Sequence, residues 1–319
     1  MFPLIVADIG GTNARFSLVT GHHDDQFQLD QIEILRGQDF STFSDALRHY
    51  LDKLSGVTVK SACVAVAGPV SGNKVRLTNI DWTIDQAEIK KEFNFDQFVV
   101  INDFTALAVA TSRLTENDLI QIKSGSAIKG NKAVLGPGTG LGVGGLAYSP
   151  GGWLPIPSEG GHVNIPPATK LECEVVKAAL DQHDYVSAEV FLSGPGLVNL
   201  YRSLAVVRGA PAESFQPNEI TAKALDDTDS LCRETLELFC GFLGSVAGNA
   251  ALTYGAKGGV YIGGGIVPRF VEFLGQSTFT ERFSNKGVMS YYVEDIPVNI
   301  ISHEQPAFLG CAAWLTQIS

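Results

Sequence analysis

Residues 4–16 read LIVADIGGTNARF, and the rest of the chain is organised around this stretch. Its first four residues form an apolar run. The run breaks at Asp8, Gly10 and Gly11, then resumes from Arg15 to Val19, the pattern of strand, tight turn, strand. Two adjacent glycines without Cβ atoms let backbone N–H groups turn outward toward a ligand, and Thr12 and Asn13 add side-chain donors beside them, so an anion fits there. Asp8, at the end of a buried strand, is poorly placed for a surface charge, and a hydrated divalent cation beside a phosphate is its most economical partner. An ordinary Gly-Gly hairpin turn accounts for the same residues.

The totals narrow the field. A chain of 319 residues exceeds one comfortable core and predicts two domains. No uninterrupted apolar run reaches the roughly 18 residues of a membrane span, and the start MFPLIVADIGG lacks a basic lead and a long apolar core. The expectation is a cytoplasmic protein without membrane contact. Five cysteines (Cys63, Cys173, Cys232, Cys240, Cys311) are scattered and never spaced as C-x-x-C, which points to reduced, mostly buried thiols rather than a disulfide framework or zinc site. Lys and Arg total 23 against 34 Asp and Glu, a net charge of −11. With no basic run to override that charge, nucleic acid is not an expected partner.

Along the chain, Gln26–Ile34 alternates as a strand, and Phe40, Phe43, Leu47, Tyr50, Leu51 and Leu54 recur at helical spacing before Gly56. Strands follow at Ser61–Ala67 and Phe98–Ile101, with helical character between them at Asp85–Phe93. This alternation is that of an α/β protein. Ser124–Asn131 is polar and glycine-rich, a surface loop early in a second unit. That unit opens with AVLGPGTGLGVGGLAY at 133–148, the same order of strand, glycine turn and strand as at the start, which suggests a duplication. A long helix stripe from Leu231 to Ala250 ends near Gly255, Gly259–Ile262 is a strand running into Gly263-Gly264-Gly265, and Ala307–Ile318 is a terminal helix.

Few residues are placed for chemistry. Asn102-Asp103 follows the apolar run FVVI, where the carboxyl end of a strand in an open α/β sheet meets ligand. Asp103 suits a general base whose pKa desolvation would raise, and it equally suits the N-cap of a helix at Phe104–Ala110. Ser158-Glu159-Gly160-Gly161-His162 places an acid and an imidazole around two glycines, in a segment with too much Gly and Pro for a helix. Glu159 and His162 offer the mixed donors and acceptors a polyol needs, while a metal pair and a plain surface loop stay open as alternatives. Glu189, in VSAEVFLSGPG, reads by itself as a solvated helix face. The G-x-G-x-x-G from Gly140 is followed by a strand and so fails the context of a dinucleotide fingerprint, and neither a Walker P-loop nor a G-x-S-x-G elbow is present. Phosphate binding without a P-loop remains, with glycine turns at Gly10, Gly138 and Gly263 converging on one nucleotide.

Taken together, DIGGTNARF at 8–16, LTNIDW at 77–82, INDFTALA at 101–108, GPGTGLG at 136–142, SEGGHV at 158–163, LSGPGL at 192–197 and YIGGGI at 261–266 resemble the bacterial glucokinases. These belong to the actin-like, hexokinase-type ATPase superfamily. The cysteine-rich zinc motif of the related repressor and sugar kinase branch is missing, and no DNA-binding extension precedes Leu4. Asn164 stands where an acidic residue is frequent in these enzymes.

The resemblance implies a two-domain actin-like (ribonuclease-H-like) α/β fold, with mixed sheets flanked by helices and a cleft between the lobes. Residues 1–112 would form the smaller domain, completed by a C-terminal helix at 303–319, and 113–302 the larger. It implies ATP-dependent phosphorylation of D-glucose at the 6-hydroxyl, with Asp103 as catalytic base and Asn102, Glu159, His162 and Glu189 on the sugar hydroxyls. ATP would lie against Ala7, Asp8, Ile9, Gly10, Gly11, Thr12, Gly138, Thr139, Gly140, Gly263, Gly264 and Gly265. Magnesium would be held mainly by the ATP phosphates, with Asp8 reaching it through water and no protein metal site. A glycolytic, cytoplasmic homodimer is the expected form. The alternatives are a catalytically silent sugar sensor and an actin-like ATPase.

Overall fold

The computed structural model describes residues 2–23, 26–77 and 80–318. Thr78 and Asn79 of the LTNIDW block, Met1 of the expected first domain and Ser319 at the end of the expected C-terminal helix lie outside the described residues. The chain divides into two compact units: Met1–Thr115 with Gly151–Trp153 and His303–Ser319, and Glu116–Pro150 with Leu154–Ser302.

The first unit holds strands β1 (Leu4–Ile9), β2 (Asn13–His23), β3 (Gln26–Arg36), β4 (Ser61–Val66), β5 (Lys74–Arg76), β6 (Thr83–Asp85) and β7 (Gln97–Asn102). Five of them form a sheet in the order β3-β2-β1-β4-β7, while β5 and β6 pair separately. β1 is antiparallel to β2 and parallel to β4, and β4 is parallel to β7. An apolar run buried on both faces is what such a central strand requires. Helix α1 (Phe43–Lys53) is capped by Thr42, whose side chain accepts from the Asp45 N–H. It buries Phe43, Ala46, Leu47 and Tyr50, and Tyr50 stacks on Phe16 of β2 with ring centroids 5.2 Å apart. The helical periodicity at Phe40 does not carry into the helix, because the cap at Thr42 sets the start at Phe43, three residues later. A short helix α2 (Gln86–Glu92) leads to β7, and α3 (Asp103–Ala110) follows β7 without a linker.

The register aligns the carboxyl ends of the parallel strands. Ile9 of β1 pairs with Val66 of β4, and Val66 with Asn102 of β7. The turns after these three strands therefore share one end of the sheet. The C-terminal helix Pro306–Gln317 packs on α3 so closely that a Cβ on Gly310 would overlap the Ala106 carbonyl oxygen.

The second unit holds β8 (Leu119–Lys123), β9 (Lys132–Pro137), β10 (Leu141–Ser149), β12 (Val260–Ile262), β13 (Val298–Ile301) and, from Leu154 on, β11 (Gly152–Ile156), in a sheet of order β11-β10-β9-β12-β13-β8. β9 is antiparallel to β10 and parallel to β12, and β12 is parallel to β13. The arrangement about β9 repeats that about β1, including the hairpin turn. Helices α4 (Lys170–Ala179), α5 (Ala188–Phe191), α6 (Gly194–Arg208), α7 (Pro217–Leu225) and α8 (Ser230–Tyr254) complete the part of the unit that bears on function. α8 runs from its cap at Asp229 to Gly255, which adopts the left-handed conformation. By length and composition α8 is able to cross a membrane, yet 78% of its most apolar window is buried inside the protein, as in a core helix. Glu172 of α4 meets Arg282 at 2.9 Å in this core, and Ser245 of α8 completes the arginine's partners. All five cysteines are free, with Cys173 alone among them exposed.

Gly310→Ala is expected to push the C-terminal helix off α3, lowering the melting temperature by several degrees (about 1–3 kcal/mol of overpacking). A thermal melt beside the parent protein checks this, and an unchanged melt would mean the two helices separate without cost.

Candidate active site

The sequence left Asp103 as either a cap or a base, and the structure separates the two roles. Asn102 is the cap. As the last residue of β7 it keeps an extended backbone, with φ −67° and ψ 148°, so its Oδ1 reaches back to accept the N–H groups of Phe104 and Thr105 at 2.9 and 3.2 Å. Its Nδ2 donates to the Gly68 carbonyl and to Asp103 Oδ1, both at 2.9 Å. Asn102 thereby uses its full hydrogen-bonding capacity within the first unit. Asp103 is instead the first helical residue. Its Oδ1 accepts from Asn102 and from the Phe104 N–H at 2.9 Å, which leaves Oδ2 outside the cap.

Burial pushes the Asp103 carboxyl up to about 6, and the nearby negative charge of Asp8 adds to the rise against the lowering by its N–H donors. Asp8 faces Arg15 across the β1–β2 ladder and meets its guanidinium at 3.0 Å. Burial raises its pKa more than Arg15 lowers it. The turn between these strands is closed by a Gly10 N–H bond to the Asn13 carbonyl at 3.0 Å. Gly10 has no positive φ, and a Cβ there would make only an ordinary contact. The fold therefore does not require glycine at this position, whereas close approach by a ligand does.

The second unit carries the other candidates. Glu159, Gly160, Gly161 and His162 were expected to stay non-helical, but Gly160–His162 forms a single 3-10 turn. A three-residue turn needs little helix propensity, which is why the Gly-rich composition did not exclude it. The His162 N–H donates to the Glu159 carbonyl at 3.0 Å, and Tyr185 donates its hydroxyl hydrogen to the His162 carbonyl at 3.0 Å. Gly161 lies so close to the Leu141 carbonyl that a Cβ would not fit. The imidazole of His162 remains 58% exposed and lies 4.0 Å from Glu189 Oε1. The Glu159 side chain makes no hydrogen bond among the described residues. Glu189, which the sequence alone could not distinguish from a solvated face, accepts the Leu141 N–H at 2.8 Å.

The turns at Gly138 and Gly263 lie side by side, because β9 and β12 are neighbours: the Gly263 N–H donates to the Leu135 carbonyl at 2.7 Å, and Gly264, at φ +86°, packs on Pro137. Beside them opens a cavity of about 730 Å³. Gly138, Thr139, Gly265 and Ile266 line one side, and the first turns of α6 and α7 with Phe215 line another. Its volume and its mix of apolar, amide and N–H groups suit a nucleoside. Phe215, Asn199, Asn218, Arg202 and Arg269 of this lining were not foreseen. The glycine turns were the visible signal, while these residues come from segments with no motif of their own. No group of three or more His, Cys, Asp or Glu among the described residues is arranged to hold a metal ion.

The family model described as glucokinase matches residues 5–318. The chain belongs to the glucokinase family. It is 61% identical to a glucokinase of Saccharophagus degradans, covering 100% of this chain and 99% of that one. A glucokinase of Neisseria gonorrhoeae is 42% identical over 98% of this chain and 95% of its own. Among solved structures, a glucokinase from an Antarctic psychrotroph aligns with a TM-score of 0.95 at 40% identity, over 99% of both chains. The fold is the α/β fold of actin-like ATPases. Within this glucokinase-family chain, Asn102, Asp103, Asp8 and the Gly10 turn lie in one unit, and Glu159, His162, Glu189 and the Gly138 and Gly263 turns in the other.

The raised pKa of Asp103 has a consequence for stability. A carboxyl titrating near 6 when folded and near 4 when unfolded costs stability as pH rises through that window, and the full cost is present above about pH 6. Asp103→Asn is therefore expected to stabilise the protein at pH 7–8 by about 1–3 kcal/mol, with the gain vanishing below about pH 4. Denaturant unfolding at several pH values checks this, and a destabilised variant at pH 8 would contradict it.

Proposed function

We propose that the chain transfers the γ-phosphoryl group of ATP to the 6-hydroxyl of D-glucose, giving glucose 6-phosphate and ADP, with Asp103 as general base. The observation that carries the assignment of the base is a desolvated carboxylate at the carboxyl end of a parallel strand, with one oxygen fixed and the other not. At pH 7 a group titrating near 6 is mostly ionised, yet basic enough to take the hydroxyl proton as the bond to phosphorus forms. Asn102 and the Phe104 N–H hold Oδ1 so that Oδ2 points one way. Asn102 itself reaches a sugar hydroxyl only by releasing Gly68 or Asp103. Glu159, His162 and Glu189 bind the remaining hydroxyls through their mixed donors and acceptors.

The nucleoside of ATP occupies the cavity beside Gly138 and Gly265, and its phosphates take the N–H groups of Thr139 and Gly140 and of Gly11 and Thr12, since those of Gly138 and Gly10 close their own turns. With little covalent work for the protein to do, positioning and charge stabilisation carry the transfer. Magnesium, when bound with ATP, offsets phosphate charge. Asp8 suits a water-mediated contact to it, because one carboxylate oxygen is taken by Arg15 and the other is not. The same reading carries a cytoplasmic homodimer, which sedimentation equilibrium tests.

A coupled assay for glucose 6-phosphate, run beside fructose, mannose and N-acetylglucosamine, is expected to show turnover largely confined to glucose. Asp103→Asn is expected to fold and bind glucose while kcat falls by about two orders of magnitude or more. For the parent, log kcat/KM is expected to fall on the acid side with an apparent pKa near 6. Near-normal turnover of Asp103→Asn would remove Asp103 from its role.

A further inference from the structure

Glu189 presents its two carboxylate oxygens to two different parts of the second unit. Oε2 accepts the Leu141 N–H at 2.8 Å and lies where a Cβ on Gly140 would come within 2.5 Å of it. Oε1 faces His162 at 4.0 Å. The segment that follows holds the same glycine turn from its other end, since the Gly194 N–H donates to the Gly138 carbonyl at 2.8 Å. Ser193 ties this segment together: its hydroxyl donates to the Glu189 carbonyl at 2.9 Å and accepts the Gly196 N–H at 3.0 Å. Residues 189–196 are thus a brace reaching from His162 to both ends of the Gly138–Leu141 turn. Gly138 and Gly194 also line the 730 Å³ cavity.

We infer that Glu189 is a positioning residue for the phosphate turn and couples occupancy of the sugar loop to nucleotide affinity. This rests on the sugar and nucleotide assignments above. A turn of the form Gly-Thr-Gly, closed within itself by the Gly138 N–H bond to the Gly140 carbonyl at 2.8 Å, keeps conformational freedom at its two ends, and ordering them on binding costs affinity. The hydrogen bond that the Leu141 N–H at the turn's exit donates to Glu189 Oε2 orders that end beforehand. A sugar that draws on His162 and the free side of Glu189 shifts the same carboxylate. The effect is reciprocal, so sugar changes nucleotide affinity by the factor by which nucleotide changes sugar affinity.

The experiment is calorimetric titration of the full chain with the magnesium complex of a non-hydrolysable ATP analogue, without sugar and with saturating glucose. Glu189→Ala is expected to weaken sugar-free nucleotide binding about fivefold or more and to abolish the effect of glucose on it. Glu189→Gln keeps an acceptor for the Leu141 N–H, so it is expected to bind the analogue within about twofold of the parent. Glu159→Ala removes a sugar-loop carboxylate that does not touch the turn, and it is expected to leave sugar-free nucleotide affinity unchanged.

If Glu189 served the sugar alone, Glu189→Ala would raise the KM for glucose and leave sugar-free nucleotide binding at the parent's value, and that result overturns the inference. Should Glu189→Ala fail to fold by circular dichroism, Gly140→Ala displaces the carboxylate from the opposite side. It must then weaken nucleotide binding, and unchanged affinity overturns the inference equally. A parent protein that neither binds the analogue nor phosphorylates glucose refutes the functional reading as a whole. A parent that does both, with Glu189→Ala binding nucleotide normally, refutes this inference alone.

Discussion

A strand hydrogen-bonded along both edges and covered on both faces leaves little room for an uncompensated polar group except at its ends. β1 and β9 are such strands, each flanked by an antiparallel partner on one side and a parallel one on the other. The residues proposed for chemistry follow from that constraint. Asp8, Asn102-Asp103, Gly138 and Gly263 all stand where parallel or hairpin strands finish and the backbone must leave the ladder. At those points N–H groups and carboxylates lose their neighbours in the sheet and become available to a ligand.

Burial there is partial, and partial burial is what suits Asp103 to the proposed role. A fully exposed carboxyl would titrate near 4 and bind a proton weakly, while a fully buried one would stay neutral at pH 7. Desolvation and the charge of Asp8, opposed by the Asn102 amide and the Phe104 N–H, leave it near 6. The same balance is expected to cost stability at neutral pH, as for a group kept for the proposed chemistry.

The second unit solves a different problem with the same device. A glycine turn suits close approach to the proposed phosphates because it lacks side chains, and for the same reason little beyond its own Gly138 N–H bond to the Gly140 carbonyl at 2.8 Å holds its shape. Glu189 and the Gly194 N–H add, from outside, contacts at both ends of the turn. Because the Glu189 carboxylate also lies beside His162, the loop proposed for the sugar and the turn proposed for the phosphates share a support.

The α/β class, the strand–turn–strand openings of both halves and the long core helix were legible in the residues, because each depends on periodicity or on turn chemistry that acts within a few residues. LIVADIGGTNARF and AVLGPGTGLGVGGLAY carry their strands and turns in their own composition. Other features were decided only when distant segments met. Asn102 took the cap because β7 stays extended through it, and that freed an oxygen of Asp103. Glu189 has no local signal at all, since its partners Leu141 and His162 lie 48 and 27 positions away. The cavity proposed for the nucleoside likewise needs Phe215 and the starts of α6 and α7 beside the Gly138 and Gly265 turns. Such contacts arise from the packing of whole elements, and no short-range pattern in a single sequence encodes them.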